Sequence, residues 1–145
     1  TEQMAEPTGL PEAVTSLSSP FDEQIGLTFT DVSPDGIKAR FTVTPALHQP
    51  MGIVHGGVYC SVIEAVASTS AYVWLAEHGG GNVVGVNNNT DFLRAISSGT
   101  LHAASEPVHR GRRQQLWLVT ITDEGDRVIA RGQVRLQNLE ADAGA

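Results

Sequence analysis

The chain has 145 residues, one domain's worth, and at this size roughly 68–70% of the unfolded chain's surface is buried on folding. Hydrophobic residues make up 41% and charged residues 17%, which excludes disorder along the whole length. The net charge of −7 argues against a general nucleic-acid or anionic-membrane surface, and the single cysteine, Cys60, excludes an intramolecular disulfide and a Cys-rich zinc site.

In chain order, 1–18 is rich in Pro, Ser, Thr and Glu without apolar periodicity and reads as a mobile arm. A single domain over 19–139 follows, closed by a polar tail from Glu140 to Ala145. No apolar run reaches the roughly 18 residues of a membrane span and no signal peptide is visible, so the expected location is the cytoplasm. Ser19 before Pro20 predicts an N-cap and a short helix to about Gln24. Two β-rich runs, Ile25–Val32 and Ile37–Val43, flank the turn Ser33-Pro34-Asp35-Gly36. In the second run Ile37, Ala39, Phe41 and Val43 alternate with polar residues, as in a half-buried strand. His48–Val54 reads as a loop.

Gly57–Glu77 is the one long helical stretch. Its Val and Ser content is unfavourable for an isolated helix, so burial must hold it. Val62, Val66, Thr69 and Val73 share one stripe; Cys60, Ser61, Glu64, Ala67, Ser68 and Ala71 share another, made of small residues around one acid. His78-Gly79-Gly80-Gly81 stops it. Four strands follow, Val83–Leu93, Gly99–His109, Gln115–Asp123 and Arg127–Gln137, the last two joined through Asp123-Glu124-Gly125-Asp126. Without βαβ alternation a parallel sheet is excluded. The prediction is the α+β class, an antiparallel sheet wrapped around one central helix.

The segment Gln49-Pro50-Met51-Gly52-Ile53-Val54-His55-Gly56-Gly57 leads into the helix carrying Glu64. Glycines at a helix start leave backbone N–H groups bare at the positive end of the helix dipole, where an oxyanion is stabilised. Glu64, two turns further on among alanines and serines, is a candidate base or nucleophile. The plainer reading of the same residues is a tight loop and a solvated glutamate. The five histidines, His48, His55, His78, His102 and His109, show no metal-ligand spacing, and no metal is expected. Ser61 and Ser68 lie outside any Gly-x-Ser-x-Gly elbow. Cys60, Trp74 and Trp117 read as packing. Asn87-Asn88-Asn89 reads either as pocket amides or, for at least two of the three, as an edge with turn character.

The run His55-Gly56-Gly57-Val58-Tyr59, with Gln49 six residues before His55 and Glu64 nine after it, resembles the hotdog-fold acyl-CoA thioesterases over about 21–139. Within them it is most similar to the Arthrobacter-type 4-hydroxybenzoyl-CoA thioesterase group, which includes 1,4-dihydroxy-2-naphthoyl-CoA and enterobactin-pathway proofreading thioesterases. The whole chain also resembles small actinobacterial proteins labelled esterase or thioesterase. The resemblance implies a hotdog fold and hydrolysis of a small, aromatic acyl-CoA. Glu64 would be the catalytic carboxylate and the Gly56 N–H the oxyanion donor; His55 and Gln49 would orient thioester or water, and Ser68 would help place the water. It also implies an active site shared between two protomers of a homodimer, within a homotetramer. Coenzyme A would be part of the substrate, with no separate cofactor.

His109-Arg110-Gly111-Arg112-Arg113 concentrates four positive or titratable groups on one loop. Phosphate binding and a solvated basic turn explain it equally well from composition alone. By the resemblance, His109 to Gln114, the stretch Phe92-Leu93-Arg94-Ala95, and Gly85 contact coenzyme A. Asp91-Phe92 departs from the Asn-His of relatives, so one histidine contact is lost. Two other classes compete with hydrolysis: a hotdog (de)hydratase, whose loop and acid spacing differ from those here, and a non-catalytic acyl-CoA binding module.

Overall fold

The computed structural model describes residues 19–141. The predicted arm over 1–18 lies outside the described residues, and of the polar tail only Glu140 and Ala141 fall within them. Helix α1 (Pro20–Ile25) starts as its sequence requires: the Ser19 hydroxyl accepts the Asp22 N–H at 3.1 Å. It runs one residue beyond the expected end, to Ile25, and is capped by Gly26 in the left-handed region, so the first strand starts later than predicted.

Strands β1 (Thr28–Ser33) and β2 (Gly36–Thr42) form a hairpin whose turn is held by Ser33 Oγ, which accepts the Asp35 N–H and donates to Gly36 O. In β2, Ile37, Ala39 and Phe41 face inward, as their alternation predicts. A 3-10 turn at Pro45–Leu47, which no signal in the sequence announces, leads into the loop before helix α2 (Gly56–Ala76).

After α2 come β3 (Asn82–Phe92), β4 (Thr100–Arg110), β5 (Gln114–Thr122) and β6 (Val128–Leu139). The six strands make one antiparallel sheet in the order β1-β2-β4-β5-β6-β3. The sheet wraps around α2, which packs against all six strands. This is the expected hotdog fold. Ile63 and Val66 of α2 and Trp117, Phe41, Leu101 and Ile129 of the sheet are among its fully buried residues. Burying each large apolar side chain stabilises by about 1.5–3 kcal/mol, and this holds a helix of poor intrinsic propensity.

By length and a mean hydropathy of 1.3, α2 is itself long and apolar enough to cross a membrane, which corrects the sequence expectation that no stretch is. Scattered Ser and Thr break the visible apolar runs without lowering the average much. Its surroundings give the physical reason for its composition: a helix gripped by a sheet must be apolar on most of its sides. Past its end, Gly79, Gly80 and Gly81 take φ of +104°, +73° and +116°, and the Gly80 N–H bonds Leu75 O at 2.8 Å. In the β5–β6 turn, by contrast, the left-handed residue is Asp126 rather than Gly125. Asp123 holds that turn, its carboxylate accepting the N–H groups of Gly125 and Arg127 and the Arg127 Nε–H.

Candidate active site

Helix α2 begins at Gly56, one residue before the predicted start, with His55 as its N-cap. His55 Nδ1 accepts the Gly57 N–H at 2.8 Å, so a neutral ring carries its proton on Nε2. The loop before it is braced by Val54 N–H to Ile96 O and His55 N–H to Leu47 O. Gln49 Oε1 accepts the Met51 N–H, and among the described residues its amide Nε2 has no acceptor. The Gly56 N–H likewise has no acceptor among the described residues. It borders a depression of about 300 Å³ lined by Gln49, Gly56, Tyr59 and Phe92–Ala95. Phe92 lies on the Gly56 backbone so closely that a Cβ there would stand 2.5 Å from its ring.

Glu64 lies in a second depression, of about 420 Å³, with Phe21, Cys60, Ser61 and Asn88. Ser68 Oγ donates to Glu64 Oε2 at 3.3 Å. Asn88 Nδ2 donates to Cys60 O at 3.0 Å and reaches Glu64 Oε1 at 3.4 Å, while its Oδ1 accepts from Thr90 Oγ1 at 2.7 Å. The carboxylate rests on the Gly85 backbone: a Cβ at Gly85 would stand 2.2 Å from Oε2. Strand β3 thus supplies a glycine that leaves room for the acid and an amide that orients it. An apolar depression lined by Phe21, Ile25, Leu47 and Val58 adjoins this one through Phe21 and Ser61.

The expected site residues therefore fall into three groups. Gln49, Gly56 and Phe92–Ala95 gather at the helix N-terminus. Glu64, Ser68 and Gly85 meet at its middle. His109–Gln114 lies toward its far end, where Arg110 approaches Trp74. Arg110 is already engaged, donating from Nη1 to Pro34 O at 3.0 Å and Asp35 Oδ1 at 2.8 Å, with its guanidinium 5.9 Å from the Trp74 ring and 6.0 Å from Trp117. Arg110 thus ties the β1–β2 turn down, and His109, Arg112, Arg113 and Gln114 of this stretch are left exposed.

One residue, Asn88, escapes sequence reasoning as an individual. Asn88 is the middle of an asparagine run, and only strand alternation, which turns one of three inward, could have singled it out. Tyr59 is buried with its hydroxyl unpartnered among the described residues, tilted against Phe92 at 5.9 Å; burial pushes its phenol up to about 12.

Residues 51–130 match the thioesterase superfamily. This chain belongs to that superfamily. Its membership makes it a thioester hydrolase, in keeping with a backbone donor at a helix start and a carboxylate on the same helix. It is 64% identical over 127 residues to Rv1847 of Mycobacterium tuberculosis, a protein with a provisional esterase name, covering 87% of this chain and 91% of that one. The solved structure of Rv1847 superposes with a TM-score of 0.83 over 85% of this chain and 98% of the other. AziG of S. sahachiroi is 46% identical, with a TM-score of 0.82 over 85% of this chain and 98% of that one. The proofreading thioesterase EntH of Cronobacter sakazakii is 33% identical over 105 residues, 72% of this chain and 75% of that one.

Proposed function

We propose that this thioesterase hydrolyses the coenzyme A thioester of a small aromatic acid, with Glu64 as nucleophile or general base and the Gly56 N–H as oxyanion donor. The observation that carries this reading is an unpaired donor and a held carboxylate that one protomer keeps apart. Glu64 lies eight positions after Gly56 on the helix, about 12 Å along the axis. A thioester carbonyl needs its oxygen about 3 Å from the donor while its carbon meets the nucleophile. That separation supports a site in which a two-fold partner supplies its own Gln49–Gly57 loop to Glu64. The outer edge of β3 is a candidate seam for such a dimer, since it ends the sheet and exposes Val84 and Val86.

In that assembly the Glu64 carboxylate attacks the carbonyl or takes a proton from the attacking water. Negative charge then builds on the carbonyl oxygen against the Gly56 N–H, a donor of a kind worth about 2.7–4 kcal/mol in the barrier. His55 Nε2 and Gln49 Nε2 are free to orient the thioester, and Ser68 to hold water beside Glu64. The apolar depression beside Glu64 supports a ring as the acyl group, as does the sequence resemblance to the hydroxybenzoyl-CoA branch. Exposed Arg112 and Arg113 support a phosphate-bearing carrier, and no further cofactor enters the chemistry.

The test is thiol release from benzoyl-, 4-hydroxybenzoyl-, dihydroxynaphthoyl- and hexanoyl-CoA by wild type and Glu64→Ala. Turnover of the aromatic members should fall about a thousandfold in the variant. Full rate in folded Glu64→Ala removes Glu64 from the mechanism. A wild type that binds but never cleaves any member would instead favour the binding module.

A further inference from the structure

The tip between β4 and β5 is held in an unusual way. Three consecutive carbonyls accept hydrogen bonds from one residue, Asn138, near the end of β6. Its Nδ2 donates to Gly111 O at 2.9 Å and Arg112 O at 3.1 Å, and its backbone N–H donates to Arg113 O at 2.8 Å. Asn138 is fixed from within: its Oδ1 accepts from Gln115 Nε2 at 2.9 Å. Gln115 is fully buried; it also donates to Ala71 O of α2 at 3.1 Å and accepts from Trp117 Nε1 at 2.8 Å. Every amide hydrogen of both side chains has an acceptor, the condition under which a buried polar network rigidifies rather than destabilises. The network runs from the central helix to an exposed turn.

In a planar trans peptide the N–H points opposite to the carbonyl of the preceding residue. With the Gly111 and Arg112 carbonyls drawn in to Asn138, the N–H groups of Arg112 and Arg113 point away from it. Among the described residues neither has an acceptor, and both side chains are exposed. Two successive outward N–H groups beside two guanidinium groups are suited to an oxyanion.

We infer that Asn138 is a positioning residue: it orients these two peptide planes so that Arg112 and Arg113 meet a phosphate group of the coenzyme A portion with backbone and side-chain donors together. The inference rests on the proposed reading of the loop as a contact for coenzyme A. Asn138 would act through the turn, without touching substrate.

Kinetics on two thioesters of one acyl group test it, one carried by coenzyme A and one by N-acetylcysteamine, which has no phosphate. Asn138→Ala should raise KM for the coenzyme A thioester roughly tenfold, leave kcat little changed, and leave both constants for the other thioester as in wild type. An unchanged KM, or a fall in kcat on both thioesters alike, overturns the inference. The double variant Arg112→Ala/Arg113→Ala separates the layers. If it keeps the wild-type KM, the loop is no phosphate contact; if it alone raises KM, only the role of Asn138 fails. Should Asn138→Ala not fold, the wild-type protein answers by NMR with coenzyme A as titrant. Saturable shifts of both the Arg112 and Arg113 amide signals support the inference, and unmoved signals overturn it.

Discussion

The two ends of the central helix are built on opposite terms. At its N-terminus polar groups are left open: the Gly56 N–H and Gln49 Nε2 have no acceptor among the described residues, and Tyr59 holds a buried, unpartnered hydroxyl beside them. Toward the C-terminus, Gln115, Trp117, Asn138 and the Ala71 carbonyl satisfy one another completely. Of these groups only the Tyr59 hydroxyl is buried without a partner, a loss of about 1–3 kcal/mol, while the half-exposed Gln49 and Gly56 donors are within reach of solvent or a ligand. Glu64 stands between the two regimes, held on both oxygens yet open to a cleft.

That contrast can be broken most sharply at Gly85. Gly85→Ala places a methyl group 2.2 Å from Glu64 Oε2 and must displace the carboxylate. The expected result is a fall in kcat of at least about a hundredfold with the melting temperature nearly unchanged; preserved turnover would show that the seating of Glu64 is immaterial. At the satisfied end the signature should be reversed. Gln115→Leu orphans the Trp117 Nε1–H and should cost about 1–3 kcal/mol in chemical denaturation. A neutral result would mean that water replaces the network.

Tyr59→Phe removes an unpartnered hydroxyl, so stability should hold or rise by up to about 1 kcal/mol; a loss would reveal a partner supplied by the assembled enzyme. The same tyrosine predicts an alkaline effect. Its folded pKa, raised to about 12, lies above the ordinary 10.0, so the unfolded chain ionises first and stability drains away as pH climbs from 10.0 toward 12. Tyr59→Phe should flatten that decline in urea titrations run across the range.

The smallest effect is expected at the β5–β6 turn. Hydrogen bonds from Arg127 hold the Asp123 carboxyl below its ordinary 3.8. Its contribution is therefore complete above pH 3.8 and fades as pH falls through the lower folded value. Because Ile129 O, just past this turn, accepts the N–H groups of Leu93 and Arg94, amide exchange at those two residues should quicken in the same acid window. Asp123→Asn should abolish that pH dependence.

Local chemistry makes much of this protein legible from the order of its amino acids alone. Ser19-Pro20 caps a helix, the alternation in Ile37–Val43 shows one strand's inner face, and the glycines after His78 stop the long helix, because each signal acts within a few residues. Element order predicts the α+β class, and the spacing of Gln49, His55, Gly56 and Glu64 carries the family resemblance that names the candidate site. Other features lie between residues far apart in the chain. Asn88 meets Glu64 across 24 positions, Arg110 is taken by Asp35 across 75, and Gln115 reaches Ala71 across 44. No periodicity encodes such pairings. They arise when strand register brings one residue of an asparagine run, one arginine of a basic cluster or one glycine of a strand against a particular helical position, and that register is decided by the packing of the whole sheet around α2.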